Sequence, residues 1–217
     1  MNIIEPDASW AVTEFADAQL NDIRRTQRLV EIATVLAQQP TASFPEACGS
    51  PSMLKATYRF FDNDAIDAQA ILESHIEATS HRITAVPRVL AVQDTTELDF
   101  SHHPATTELG PLSGANQHGF LAHTTLAITE ERVPLGIIAQ SVWVRDPTEV
   151  GKRATRRQRP ITQKESQKWL LSLSAVIEFS QAHPDTHFVS IGDREADVYD
   201  LFLQQRPSNV DWLVRAA

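Results

Sequence analysis

The chain has 217 residues, which is enough for one ordinary domain or for one domain with a small appendage. Hydrophobic residues make up 42% and charged residues 22%, so general disorder is excluded. The formal net charge of −9 argues against a nucleic-acid partner for the chain as a whole. Residues 145–164, however, contain seven basic and two acidic side chains, and a local basic patch of this kind can bind phosphates.

The sequence also predicts a compartment. No apolar run approaches the roughly 20 residues that span a bilayer, so we expect no membrane partner. The first ten residues, MNIIEPDASW, lack the basic and apolar regions of a secretory signal. Cys48 is the only cysteine, which excludes an internal disulfide and a multi-cysteine zinc site. We therefore expect a cytoplasmic protein.

The N-terminal part of the chain has helical periodicity. Asn21 or Asp22 can cap a first helix. Its apolar positions follow the spacing of one helical face and are Leu29, Ile32, Ala33 and Leu36. Ser50, with a proline directly after it, predicts a second helix over 51–61, and a third is predicted over about 67–82. This region is expected to be all-helical.

After Pro87 the periodicity changes to that of β-strands. Apolar runs predict strands over residues 89–92, 120–128, 133–144, 187–191 and 210–214. Two helices are predicted between the later strands, over 165–181 and 197–205. Three antiparallel strands followed by crossover units give a mixed sheet with helices on its faces. The predicted fold class is therefore α/β.

Two carboxylates come directly after predicted buried strands. They are Asp94 and Asp193, and they converge at one sheet edge if their strands are parallel neighbours. A divalent cation is the usual way to keep two adjacent carboxylates ionised, and Mg²⁺ also accepts water and phosphate oxygens. Alternatively, each aspartate only caps a turn or a helix. The spacing alone does not decide between these interpretations.

Several segments resemble DDE transposases of the bacterial Tn-five-like group within the IS-four superfamily, and they run along nearly the whole chain. They are W-x3-EF-x2-A-x-L-x-D-x-RR-x2-RL at 10–29, KATYRFFDN at 55–63, QDTTELDF at 93–100, HTTLAIT at 123–129, VPLGIIAQSVWVRD at 133–146, KESQKW at 164–169, GDREADVYD at 192–200 and WLVRA at 212–216. The pair QDTT and DREAD, in this order and separation, is the most specific part of the resemblance.

The resemblance implies an RNase-H-like catalytic core over residues 85–217, preceded by a small helical DNA-binding domain over 1–84. Asp94 and Asp193 then correspond to the first two acids of a catalytic triad that binds Mg²⁺ or Mn²⁺. The family's third acid lies in a Y-x2-R-x3-E-x6-K pattern, which neither tyrosine of this chain begins. We therefore expect an incomplete core that does not cleave DNA.

The expected partners are transposon ends and target DNA. The family forms dimers through C-terminal helices that this sequence does not contain, so dimerisation is not expected here. In a bacterium the location would be cytoplasmic and associated with the nucleoid.

Basic residues of the N-terminal region are spaced to grip phosphates. Two pairs stand four residues apart on a helical face, and the resemblance to end-binding domains implies that these pairs and their neighbours contact DNA. The residues are Arg24, Arg25, Arg28, Lys55, Tyr58 and Arg59. The alternative is a solvated face with local salt bridges, for instance between Arg28 and Glu31.

A second basic segment, GKRATRRQRP at 151–160, can also neutralise phosphates. The residues predicted to do so are Lys152, Arg153, Arg156 and Arg157. The alternative is a solvated loop.

The function expected from the resemblance is cut-and-paste DNA transposition, here in a truncated form. One alternative is an inactive DNA-binding remnant or repressor of transposition. Another is a different metal nuclease whose last acid is Glu195 or Asp197. Neighbouring histidines at 102 and 103 point to opposite sides of an extended chain, so no zinc site is predicted.

Overall fold

The computed structural model describes residues 8–149 and 159–216. The chain divides into two compact units, and the division falls between Ala78 and Thr79, inside a helix. None of the helices in the described ranges combines the length and the apolar character that a bilayer-spanning helix needs.

The first unit is built of helices. They are α1 (Ala8–Phe15), α2 (Ile23–Gln38), α3 (Phe44–Cys48), α4 (Pro51–Phe61) and α5 (Ala68–Ile83), the last of which continues into the second unit. Asp22 caps α2 by accepting a hydrogen bond from the backbone N–H of Arg24 at 2.9 Å. Ser50 caps α4 by accepting from Met53 N–H at 3.2 Å. Both predicted starts are confirmed.

A small hydrophobic core holds these helices together. Its buried members are Ala18, Leu20, Leu29, Ile32, Phe60 and Ala70. Leu29 and Ile32 therefore face inward, as their spacing predicts. The short helices α1 and α3 were not predicted. The α3 helix is only five residues long and ends at Gly49, whose φ of 63° is a left-handed conformation that glycine adopts without strain.

The second unit contains a mixed sheet. Its strands are β1 (Arg88–Asp99), β2 (Gly110–Pro111), β3 (His118–Ile128), β4 (Pro134–Trp143), β5 (His187–Gly192) and β6 (Val210–Val214). The order is β2-β3-β1-β5-β6, and β4 also pairs with β3. The β1–β3 and β3–β4 pairs are antiparallel, whereas β1–β5 and β5–β6 are parallel. The predicted α/β class with a mixed sheet is confirmed.

Helices α6 (Gln167–Ala182) and α7 (Tyr199–Phe202) contribute to the same hydrophobic cluster as the sheet. The fully buried centre of that cluster contains Val89, Ala91, Ala127, Trp169, Leu173, Val176 and Phe188. Along β1 and β5, fully buried residues alternate with partly buried ones, so one face of the sheet is covered more completely than the other.

Two predicted element boundaries are wrong. The helix predicted over 197–205 is only four residues long, because a 3₁₀ turn at Arg194–Ala196 precedes it and Val198 has an extended backbone. The first strand, predicted over 89–92, continues to Asp99 because β3 pairs with it as far as the Asp99–Gly119 pair. The polar residues of QDTTELD are therefore strand residues.

Candidate functional site

Asp94 and Asp193 lie side by side in the fold. The parallel register of β1 and β5 ends with the pair Val92–Ile191, and each aspartate comes two residues later. Both are exposed and line one cavity of about 270 Å³. The prediction that Asp94 follows the end of its strand is wrong, because it lies within β1, opposite Thr124 of β3.

Asp193 also caps a turn, which is the alternative role that the sequence left open. Its Oδ1 accepts a hydrogen bond from the backbone N–H of Glu195 at 2.8 Å and so caps the 3₁₀ turn. Gly192 allows that turn to fold tightly, because a Cβ at this position would lie 2.5 Å from the Ala196 Cβ. Within the described ranges, Oδ2 of Asp193 has no hydrogen-bond partner and can bind another group.

Arg145 neutralises two other carboxylates of the cavity. Its Nε and Nη2 donate to the two oxygens of Glu165 at 2.7 and 3.1 Å, and its Nη1 donates to Glu97 at 2.9 Å. Hydrogen bonds from Ser113 and Arg145 hold the pKa of Glu97 below its usual value. The contact with Glu165 raises the pKa of Arg145. These three side chains therefore form a charged network beside the aspartates.

Lys168 pairs with a further acid of the same cavity. Its ammonium lies 3.2 Å from Glu195 Oε2, and the lysine side chain is 9% exposed. The same nitrogen lies 5.3 Å from the ring centre of Trp169 and 5.9 Å from that of Trp143. Indole faces attract cations, so the rings help to hold the buried charge.

Asp94 and Asp193 differ from the other acids of the cavity. In the part of the chain that the structure describes, no lysine, arginine or histidine side chain pairs with either of them, whereas cations pair with the remaining acids. No group of three or more His, Cys, Asp or Glu residues within the described ranges could hold a metal ion. Two unneutralised carboxylates nevertheless match the ligands of Mg²⁺, which takes one or two carboxylates together with water and phosphate oxygens.

A buried histidine adjoins the cavity. His123 lies opposite Thr95, whose hydroxyl is 2.9 Å from its Nδ1, and its ring meets Trp169 edge to face at 4.7 Å. Burial and the nearby Lys168 charge lower the pKa of His123 to about 4, against the opposing effect of the two aspartates. His123 is therefore neutral at pH 7. Its Nε2 is buried and has no hydrogen-bond partner among the described residues.

The two acids proposed as alternatives for a last catalytic group lie in different places. Glu195 lines the cavity and pairs with Lys168, so its charge is already compensated. Asp197 lies at the end of the 3₁₀ turn and is not a lining residue.

The arginines of α2 are occupied by intramolecular contacts. Arg24 donates to the capping carboxylate of Asp22 at 2.8 Å although its side chain is 84% exposed. Arg25 donates to the Leu20 carbonyl oxygen at 2.9 Å. Arg28 pairs with Glu31 at 2.6 Å, which is the local salt bridge that the sequence offered as an alternative to DNA contact.

The predicted DNA-binding residues of α4, unlike the two paired arginines of α2, are not engaged in ion pairs among the described residues. Lys55, Tyr58 and Arg59 are all exposed, and within the described ranges neither cation has an ion-pair partner. The Tyr58 ring lies 6.3 Å from Phe44, and Phe44 stacks on Phe61 at 5.7 Å. These three aromatic residues are exposed and form an aromatic cluster beside two cations.

Lys152, Arg153, Arg156 and Arg157 lie outside the described residues. Sequence reasoning assigned no role to Arg145, Glu97, Glu165 or Lys168. All four lie in segments quoted for the resemblance (QDTTELDF, VPLGIIAQSVWVRD and KESQKW), and that position was the signal available for them.

A family model described as transposase DNA-binding matches residues 7–66. The match includes all of α1 to α4 and ends before α5. It supports a transposase with a DNA partner.

Proposed function

We propose that the chain acts in cut-and-paste DNA transposition as a member of the Tn-five-like DDE group. In this proposal a helical domain over residues 1–84 binds transposon ends, and residues 85–217 form most of an RNase-H-like core. The observation that carries the proposal is the pair Asp94 and Asp193. They line one cavity and have no cation partner among the residues that the structure describes, in a chain whose N-terminal part matches a transposase DNA-binding family model.

In the proposed site Asp94 and Asp193 hold Mg²⁺ or Mn²⁺. When bound, the ions supply water activation and charge stabilisation for phosphodiester cleavage. Asp193 would bind through Oδ2, because its Oδ1 already accepts the hydrogen bond that caps the turn. Arg145 keeps Glu97 and Glu165 neutralised, so these acids do not compete for the ion.

Titration calorimetry with Mn²⁺ tests the metal site. We expect Asp94→Asn and Asp193→Asn each to weaken binding at least about tenfold, because removing even the outer-shell partner of a metal ligand costs about 10- to 100-fold in affinity. Asp185→Asn is the matched control, because Asp185 is exposed and does not line the cavity. Equal affinity in all four proteins would refute the metal site.

For DNA binding we propose the surface of α4. Lys55 and Arg59 are unpaired in the described part of the chain, and both flank Tyr58, whereas the α2 arginines would first have to release internal partners. Backbone phosphates fit the cations, and sugar or base edges fit the aromatic cluster. We therefore expect the α4 residues to contribute more binding energy than Arg24, Arg25 and Arg28.

The comparison of Lys55→Gln and Arg59→Gln with Arg24→Gln and Arg28→Gln tests this surface. Binding to a fluorescent duplex is measured over a range of salt concentrations. The slope of log K against log salt is negative, and each lost phosphate contact decreases its magnitude by about 0.9. We expect that decrease for the α4 variants only. A decrease confined to the α2 variants would show instead that the DNA-binding surface lies on α2.

A DNA-binding remnant or repressor is the second candidate. The observation in its favour is that the family match covers the N-terminal helices and no part of the sheet. Plasmid nicking in Mg²⁺ separates the candidates. Duplex binding without nicking supports the remnant, and nicking that Asp94→Ala abolishes supports an active nuclease.

A further inference from the structure

We propose that Lys168 binds a DNA phosphate, and that Glu195 occupies its ammonium group only until the phosphate replaces it. This inference rests on the proposed function, because it assumes that a DNA strand enters the cavity of Asp94 and Asp193. Lys168 would then be a substrate-binding residue of the same site.

The ion pair between Lys168 and Glu195 is unequal. The lysine side chain is 9% exposed, whereas the glutamate side chain is 71% exposed. A buried ammonium is costly to leave unpaired, but an exposed carboxylate regains water at once when it is released. Glu195 can therefore leave at little cost if another anion takes its place.

The ammonium is held in position by more than its acid. The ring centres of Trp169 and Trp143 both lie within 6 Å of Lys168 Nζ. Lys168 is also a residue of α6, so its Cα is held by the helix. An ammonium has three N–H donors, and among the described residues Lys168 donates one hydrogen bond, to Glu195. A phosphate oxygen that displaces Glu195 can therefore accept from the ammonium without moving the lysine.

Lys168 also lies where two cavities meet. It lines the cavity of the two aspartates and a second, mostly apolar groove of about 370 Å³ between β4 and α6. Val142 and Leu171 are exposed in that groove, beside Trp143. A nucleotide has the matching chemistry, since its phosphate is anionic and its base has apolar faces.

The neighbouring cation is not available for this role. Of the residues that line the aspartate cavity, Arg145 and Lys168 carry positive charge. Arg145 is held by both oxygens of Glu165 and by Glu97, and neither acid is more than a third exposed. Lys168 is therefore the cation of this cavity that a phosphate can recruit.

Duplex binding by the full chain tests the proposal. The probe is a short fluorescent duplex of random sequence, and it is titrated at several salt concentrations. The buffer contains Ca²⁺, because carboxylate oxygens bind Ca²⁺ as they bind Mg²⁺. We expect Lys168→Gln to make the negative slope of log K against log salt shallower by about 0.9, the value for one phosphate contact. An unchanged slope would overturn the proposal.

Glu195→Gln tests the exchange without touching a buried residue. Removing the competing charge should tighten binding about 2- to 5-fold, the size of a partly exposed ion pair. The gain should vanish in the Lys168→Gln background. Asp200→Asn, an exposed charge removed nearby, is the control for general electrostatics. A purely structural bridge predicts lower thermal stability for Glu195→Gln and no gain in affinity, and that result would also overturn the proposal.

The two proposals can fail separately. If the unmodified chain does not bind the duplex, both fail. If it binds and Lys55→Gln weakens binding while Lys168→Gln and Glu195→Gln change nothing, the DNA-binding function stands and the role of Lys168 is wrong.

Discussion

The Gln93 side chain donates a hydrogen bond to Ser190 Oγ across the parallel strands β1 and β5, at 2.6 Å. Both residues are buried; Gln93 lies directly before Asp94 in the sequence, and Ser190 lies three positions before Asp193. The bond therefore ties together the two strands that carry Asp94 and Asp193.

Ser190→Ala should destabilise the chain by about 1–3 kcal/mol, because it leaves the Gln93 amide buried without its acceptor. Urea unfolding measures the loss. The double variant Gln93→Leu with Ser190→Ala removes both polar partners and should lose less than the sum of the two single changes. Additive losses would show that the two side chains do not interact.

Gly192→Ala should destabilise the turn that holds Asp193. The new Cβ would lie 2.5 Å from Ala196 Cβ and 3.3 Å from Trp169 Cζ3, and overpacking of this kind costs about 1–3 kcal/mol. Adding Ala196→Gly removes the nearer methyl group and should restore most of the stability. If the second change restores nothing, the contact with Ala196 is not the cause. Thermal unfolding is the measurement.

Stability should fall as the pH falls from about 6.5 to about 4. The folded state keeps His123 neutral, with a pKa of about 4, whereas the unfolded chain binds a proton near the ordinary value of 6.5. The unfolded state therefore holds more protons in this window. The loss attributable to His123 is at most about 3 kcal/mol.

Unfolding in urea at pH 7 and pH 5 checks this dependence. His123→Gln should reduce the difference between the two pH values, while the exposed His102→Gln should not. Some dependence should remain in His123→Gln, because burial also lowers the pKa of His183. A difference that is identical in the unmodified chain and His123→Gln would rule out His123 as its source.

Arg145→Gln should cost about 1–2 kcal/mol, since Glu97 and Glu165 would lose the guanidinium that compensates their charges in a partly buried place. Arg145→Lys should recover only part of the loss, because an ammonium cannot bind both oxygens of Glu165 in the two-pronged way of a guanidinium. Thermal unfolding of the three proteins is the measurement. Full recovery with lysine would mean that charge alone matters.

Local signals in the sequence were sufficient for much of the fold. Asp22 and Ser50 are good N-cap residues, and both cap helices by the expected side-chain bonds. The change from helical to strand periodicity after Pro87 also predicts the mixed sheet that the structure contains. Caps and periodicity depend on residues that are close in the chain, which is why one sequence was enough.

Features that depend on distant residues were not predictable in this way. The extension of β1 to Asp99 depends on its pairing with β3, and QDTTELD alone has no apolar alternation. Arg145 meets Glu97, which is 48 positions away in the sequence, and Lys168 meets Glu195, which is 27 positions away. The closeness of Asp94 and Asp193 was predicted, because strand ends in parallel sheets share an edge. The ion pairs of the neighbouring acids with Arg145 and Lys168 were not predicted.

The uneven lengths of β1 and β5 have a consequence for access. Up to Val92, β1 is an interior strand with a neighbour on each side. From Gln93 to Asp99 it pairs with β3 alone within the described ranges, so it becomes a border of the sheet. The backbone of Asp94 is therefore hydrogen-bonded to β3 on one side, and on the other side no strand of the described ranges pairs with it. A long, stiff polymer could approach this carboxylate from the open side without any strand having to move.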